Sequence, residues 1–127
     1  MSVTVVLDTS ALLAYSKGSI AVGELVSIVA DDDDTVLVPA ACLAEAYRQL
    51  PVGQDALLGI LTDVTSVEIA PLASEDAPAV GASARTVSGI DLGHAAAEAV
   101  RHDAQLATQE SAAMSRLLPA DWPILEV

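Results

Sequence analysis

Phenylalanine is absent from this chain of 127 residues, aromatic residues make up 2% of it, and lysine occurs once, at Lys17. Without large rings the core has to be filled by Ala, Val, Leu and Ile, and few side chains remain on which a nucleobase could stack. A single cysteine, Cys42, excludes an intramolecular disulfide and a cysteine-based zinc cluster. That usage fits a reducing cytoplasm, with Cys42 expected to act as a small buried hydrophobe. Basic residues are equally scarce. Lys17, Arg48, Arg85, Arg101 and Arg116 stand against 18 acidic residues, for a net charge of −13. Such a field repels nucleic acid and favours cations or basic partners. Long apolar runs are missing too. Asp8 interrupts the first, no charge-free stretch approaches the roughly 20 residues of a membrane helix, and the N-terminus lacks the basic region of a targeting segment. The expectation is a soluble, cytoplasmic protein without membrane contact.

What is present is patterned. Apolar residues make up 53% of the chain, and 127 residues suit one domain, residues 1–127, which buries roughly two-thirds of its unfolded surface. Val3 to Leu7 is a β-branched, turn-free run that predicts a strand buried on both faces, closed by Asp8. Thr9 or Ser10 can cap a helix from Ala11 to Tyr15, unless Asp8 is itself only the cap. Ile20 to Ala30 has helical apolar spacing. Asp31 to Asp34 is an acidic loop that lacks the alternation and glycine of a calcium-binding EF-hand, and Thr35 to Val38 is a second strand. Pro39 suits the first turn of a helix running from Ala40 to Leu50. Within it Glu45, among Cys42, Leu43, Ala44, Ala46 and Tyr47, either points into a cleft or is an ordinary exposed glutamate.

Gln54 to Asp63 predicts a helix and Ser66 to Ala70 a third strand. Ser74-Glu75-Asp76 opens a helix reaching about Val87, and a second helix runs from Asp91 to about His102. Gln105 to Thr108 is a short strand, followed by a helix through Leu117. Ile124 to Val127 is an edge strand, with Trp122 as an anchor beside it. Strands alternating with helices imply right-handed crossovers. The fold expected is therefore a three-layer α/β/α sandwich with a central, mostly parallel sheet of four to five strands.

Four acids stand out by position: Asp8 after the first strand, Glu45 in the third helix, Asp91 at a helix start and Glu110 after the fourth strand. Carboxylates that meet at one sheet edge raise one another's pKa values or require a cation, and an all-oxygen donor set selects hard metals such as Mg2+ or Mn2+. His94, one turn after Asp91, is either a site residue or a satisfied surface group. Glu98, another turn along, reads as a solvated partner of Arg101 or His102.

The segments Val-Val-Leu-Asp-Thr-Ser-Ala-Leu-Leu-Ala at 5–14, Val-Pro-Ala-Ala-Cys-Leu-Ala-Glu at 38–45, Asp-Leu-Gly-His-Ala-Ala-Ala-Glu-Ala at 91–99 and Leu-Ala-Thr-Gln-Glu at 106–110, in this order and spacing, resemble the PIN-domain family. The likeness is in particular to the small ribonuclease toxins of VapBC-type toxin–antitoxin pairs, and it covers nearly the whole chain. It implies that Asp8, Glu45, Asp91 and Glu110 are catalytic, metal-binding acids supported by Thr9, Ser10 and Thr108. It further implies a Mg2+ or Mn2+ cofactor, hydrolysis of RNA phosphodiesters, an antitoxin protein partner and a homodimer. Glu110 falls where the family more often has Asp, one methylene shorter. That departure and the few basic residues motivate the alternative of a PIN-fold binding module without catalysis. A phosphoacceptor receiver domain shares the first acid but wants a Lys after a late strand, and Lys17 is the only one.

Overall fold

The computed structural model describes residues 2–127. Five strands, β1 (Val3–Leu7), β2 (Thr35–Pro39), β3 (Val67–Ala70), β4 (Gln105–Thr108) and β5 (Ile124–Glu126), form one wholly parallel sheet in the order β3-β2-β1-β4-β5. Seven helices connect them: α1 (Thr9–Ser16), α2 (Ile20–Asp31), α3 (Ala40–Gln49), α4 (Ala56–Thr62), α5 (Ala77–Val87), α6 (Ile90–His102) and α7 (Ser111–Ser115). The expected α/β architecture and the alternation of elements are those observed. No helix among the described residues is long and apolar enough to cross a membrane.

Right-handed crossovers put the helices on opposite faces of the sheet. The chain steps from β1 out to β3 through α1–α4, then returns across the sheet through α5 and α6 to β4. Central strands covered on both sides must be apolar throughout, and Val5, Val6, Leu7, Val36 and Val38 are fully buried. The aliphatic packing required by the missing rings is completed by Leu12, Leu58, Leu61, Leu106 and Met114. Small residues let α5 and α6 approach closely: a Cβ added at Gly93 would stand 2.6 Å from the Val80 carbonyl oxygen.

The order of strands decides where a ligand can bind. It reverses between β1 and β4, and in open parallel sheets the crevice lies beyond the carboxyl ends of the strands at that reversal. A receiver-type sheet has the order 2-1-3-4-5 instead, so the topology excludes the receiver reading.

Several boundaries differ from expectation. α1 begins at Thr9 with Asp8 as its cap, rather than at Ala11 with Thr9 or Ser10 as the cap. Pro39 ends β2 in an extended conformation instead of sitting in the first turn of α3. Ser74–Asp76 forms a separate 3-10 turn before α5, which starts at Ala77 with Pro78 in its first turn. α7 is shorter than the helix expected through Leu117. The Trp122 Nε1 donates to the Ala104 carbonyl at 2.9 Å, which fixes the loop beside β5 as the anchor reading requires.

Candidate active site

Asp8 is fully buried at the end of β1. Its Oδ1 accepts from Ser10 Oγ at 2.7 Å and from the Ala11 amide at 3.0 Å, and its Oδ2 accepts from Thr108 Oγ1 at 2.5 Å. The cap and the site reading thus describe one carboxylate, which starts α1 and ties β1 to β4. Burial raises its pKa above 3.8, and the hydroxyls of Thr108 and Ser10 offset only part of that rise. Since each hydroxyl has one proton and gives it to Asp8, the 3.2 Å approach of Ser10 Oγ to Thr108 Oγ1 sets two acceptors side by side. Both oxygens accept in turn from the loop after β4: Ser10 Oγ from the Gln109 amide at 2.7 Å and Thr108 Oγ1 from the Glu110 amide at 2.8 Å.

A cavity of about 670 Å³ has a wall that includes Glu45, Arg48, Gln49, Ser88, Asp91 and Glu110. Three of the four acids singled out in the sequence therefore share one cavity, and Asp8 lies outside its wall. Asp91 stands in the first turn of α6 and accepts from Thr9 Oγ1 at 2.5 Å through its Oδ2, which couples it to the residue after Asp8. Cys42 Sγ donates to the Asp91 carbonyl at 3.2 Å; this buried thiol is pushed well above its ordinary pKa, first by burial. Ser88 ends α5 in the left-handed conformation, φ 61°, and turns the chain toward Asp91.

Glu45 is partly exposed and is held by its own helix. Arg48 Nε and Nη2 and Gln49 Nε2 donate to its two oxygens, and these bonds pull its pKa down to about 2. Glu110 is exposed and makes no capping bond at the start of α7. Partial burial first, and then the charges of Asp8 and Asp91, raise its pKa.

Two expectations on α6 need correction. His94 is a fully buried residue, not a surface group, and its Nδ1 accepts from the Ala41 amide at 3.4 Å at the start of α3. Glu98 is only 2% exposed rather than solvated, although its partners include those expected: Arg101 at 3.5 Å and His102 at 3.6 Å, with His94 at 3.9 Å. The start of α3 and the Asp76 segment, bridged to Glu98 by Arg101, meet a face of α6 whose polar residues do not advertise its burial. Arg48 and Gln49 were not singled out in the sequence, yet their spacing of three and four residues from Glu45 was the available signal.

A divalent cation would meet only carboxylate and hydroxyl oxygens as donors here, and it would offset the charges of Asp8 and Asp91 that add to the effect of burial on Glu110. The donor chemistry fits Mg2+ or Mn2+. As the side chains stand, no three His, Cys, Asp or Glu among the described residues are grouped closely enough to hold a metal ion. Asp8 is bonded to hydroxyls, Asp91 to Thr9 and Glu45 to Arg48 and Gln49.

No family model and no curated protein sequence matches the chain. Solved structures do. A chain in the crystal structure of VapBC2 from Rickettsia felis, bound to a DNA fragment from their promoter, superposes with a TM-score of 0.71 at 15% identity over 98% of each chain. A chain in the structure of FitAB bound to an IR36 DNA fragment gives a TM-score of 0.62 at 17% identity, over 97% of this chain and 94% of that one. These likenesses establish a shared fold, the PIN-like fold expected from the sequence motifs.

Proposed function

We propose that this chain is a metal-dependent endoribonuclease, the toxin component of a type II toxin–antitoxin pair. The observation that carries the reading is the gathering of Glu45, Asp91 and Glu110 around one cavity, with Asp91 tied through Thr9 to the segment that begins at buried Asp8. Those acids would hold Mg2+ or Mn2+. When bound, such an ion supplies a water activated for attack on a phosphodiester and neutralises charge on the attacking and departing oxygens.

The protein's own share is positional. Thr9 fixes the Oδ2 of Asp91, and Ser10 and Thr108 fix both oxygens of Asp8 while their amide contacts hold the loop that carries Glu110. The partner is an antitoxin protein, supported by the shared fold with chains from VapBC2 and FitAB and by a net charge of −13, which suits a basic segment. A homodimer and a cytoplasmic location belong to the same reading.

Thermal unfolding with Mn2+, followed by cleavage of a single-stranded RNA, tests it. Wild type should be stabilised and active, whereas Asp91→Asn should lose both responses; unchanged cleavage by Asp91→Asn refutes the assignment. A second reading, a PIN-fold binding module without catalysis, is favoured by the dispersed carboxylates and by the Glu45–Arg48 pair. It predicts no response to millimolar Mn2+ and no cleavage by wild type.

A further inference from the structure

Among the five basic residues of the chain, Arg48 alone lines the carboxylate cavity. It lies one turn beyond Glu45 on α3 and covers that carboxylate. Arg48 Nε is 3.0 Å from both Oε1 and Oε2, Arg48 Nη2 is 2.5 Å from Oε2, and Gln49 Nε2 is 2.7 Å from Oε2. Oε2 thus takes three donors, more than its two lone pairs, so a cation bound through that oxygen has to displace them. The Arg48 side chain is 71% exposed, and an ion pair that open to water costs little to break.

We propose that Arg48 is the substrate-phosphate contact of this cavity, exchanging places with a divalent cation at Glu45: uptake of the ion releases the guanidinium, whose fork then binds a phosphate of the RNA strand. The inference rests on the function proposed above. Its chemical logic is that the same fork that grips a carboxylate with two parallel N–H groups grips a phosphate in the same manner. Its electrostatic logic is that a strand approaching Glu45, Asp91 and Glu110 needs a positive group besides the ion. Arg101, by contrast, is already bound to Asp76 and Glu98 away from this cavity.

Wild type, Arg48→Ala and Arg48→Lys separate this role from a structural one by two readouts that do not involve cleavage. The first is the Mn2+ concentration giving half the maximal rise in thermal midpoint without RNA. The second is binding of a 2′-O-methyl oligonucleotide, which resists hydrolysis, at saturating Mn2+ over a range of salt. Arg48→Ala should need several-fold less Mn2+ and yet bind the oligonucleotide at least tenfold more weakly. Loss of one phosphate contact lowers the slope of log affinity against log salt by about 0.7 for a single strand. Arg48→Lys should fall between on both measures. A structural role alone would lower the starting midpoint and leave the Mn2+ requirement and the salt slope unchanged, and that result overturns the proposal while the nuclease reading stands. If wild type itself shows no Mn2+ response, both fall together.

Discussion

Replacing Thr108 by Val removes one oxygen from the hub around Asp8 and changes little else in shape. That oxygen donates to Asp8 at 2.5 Å in a fully buried setting. A hydrogen bond to a charged group contributes about 1.5–3 kcal/mol, and the loss is at the full value because no water reaches Asp8 to replace it. For a chain of this size roughly 4 °C of midpoint corresponds to 1 kcal/mol, so the variant should unfold about 6–12 °C lower. The pH dependence gives the sharper test. Burial already raises the Asp8 pKa above 3.8, and removing its strongest donor raises it further. The folded state then binds the Asp8 proton more readily than the unfolded state, so the penalty is fully present above the folded pKa and is relieved as pH falls through it. Urea unfolding at pH 8 and pH 5 should therefore show a smaller deficit in acid. Thr108→Ser, which keeps the hydroxyl and loses a methyl group, should cost only about 1 kcal/mol at either pH. A deficit that is constant with pH or grows in acid, or a Ser variant as damaged as the Val variant, would refute the argument.

Four further outcomes follow from other parts of the molecule. Gly93→Ala drives a Cβ to 2.6 Å from the Val80 carbonyl oxygen, so α5 must shift, and denaturant titration should show a loss of about 1–3 kcal/mol. Gly81→Ala, in the same helix pair with open space at its Cβ, should be neutral or gain up to about 1 kcal/mol. Burial lowers the His94 pKa from 6.5, so the unfolded chain takes up a proton first and stability should fall as pH drops below 6.5; His94→Gln should flatten that part of the profile. Trp122→Phe frees the Ala104 carbonyl and should cost about 1–3 kcal/mol, read by chemical unfolding followed through far-UV circular dichroism.

The alternation of apolar runs with helical spacing was enough to place every strand, most densely at β1 and β2, where a parallel sheet covered on both faces leaves an apolar signature in sequence. The acids were legible for the same reason: strand ends are visible, and topology sends them to one edge. Local competition hid the start of α1. Asp8, Thr9 and Ser10 are all good caps in isolation, and the choice falls to Asp8 because Thr9 is engaged with Asp91 and Ser10 with Gln109. The burial of His94 and Glu98 was illegible because it is imposed from outside their helix, where the start of α3 meets His94 and Arg101 spans Glu98 and Asp76. The hold of Arg48 on Glu45 could be read as spacing, yet its place in the cavity wall depends on α6 and the β4 loop arriving opposite.

The Asp8 hub also sets a schedule for synthesis. Its hydroxyl from Thr108 lies 100 residues along the chain, and the serine that joins them is 98 residues from Thr108. A nascent chain that has emerged through α6 carries Asp8, Glu45 and Asp91, but the first of these is a buried charge lacking one of its donors, and the strand that seats it has not yet been made. Contacts this distant in sequence close late. A site assembled around such contacts stays incomplete until β4 has been made and released, so its parts come together only as the chain nears its last strand.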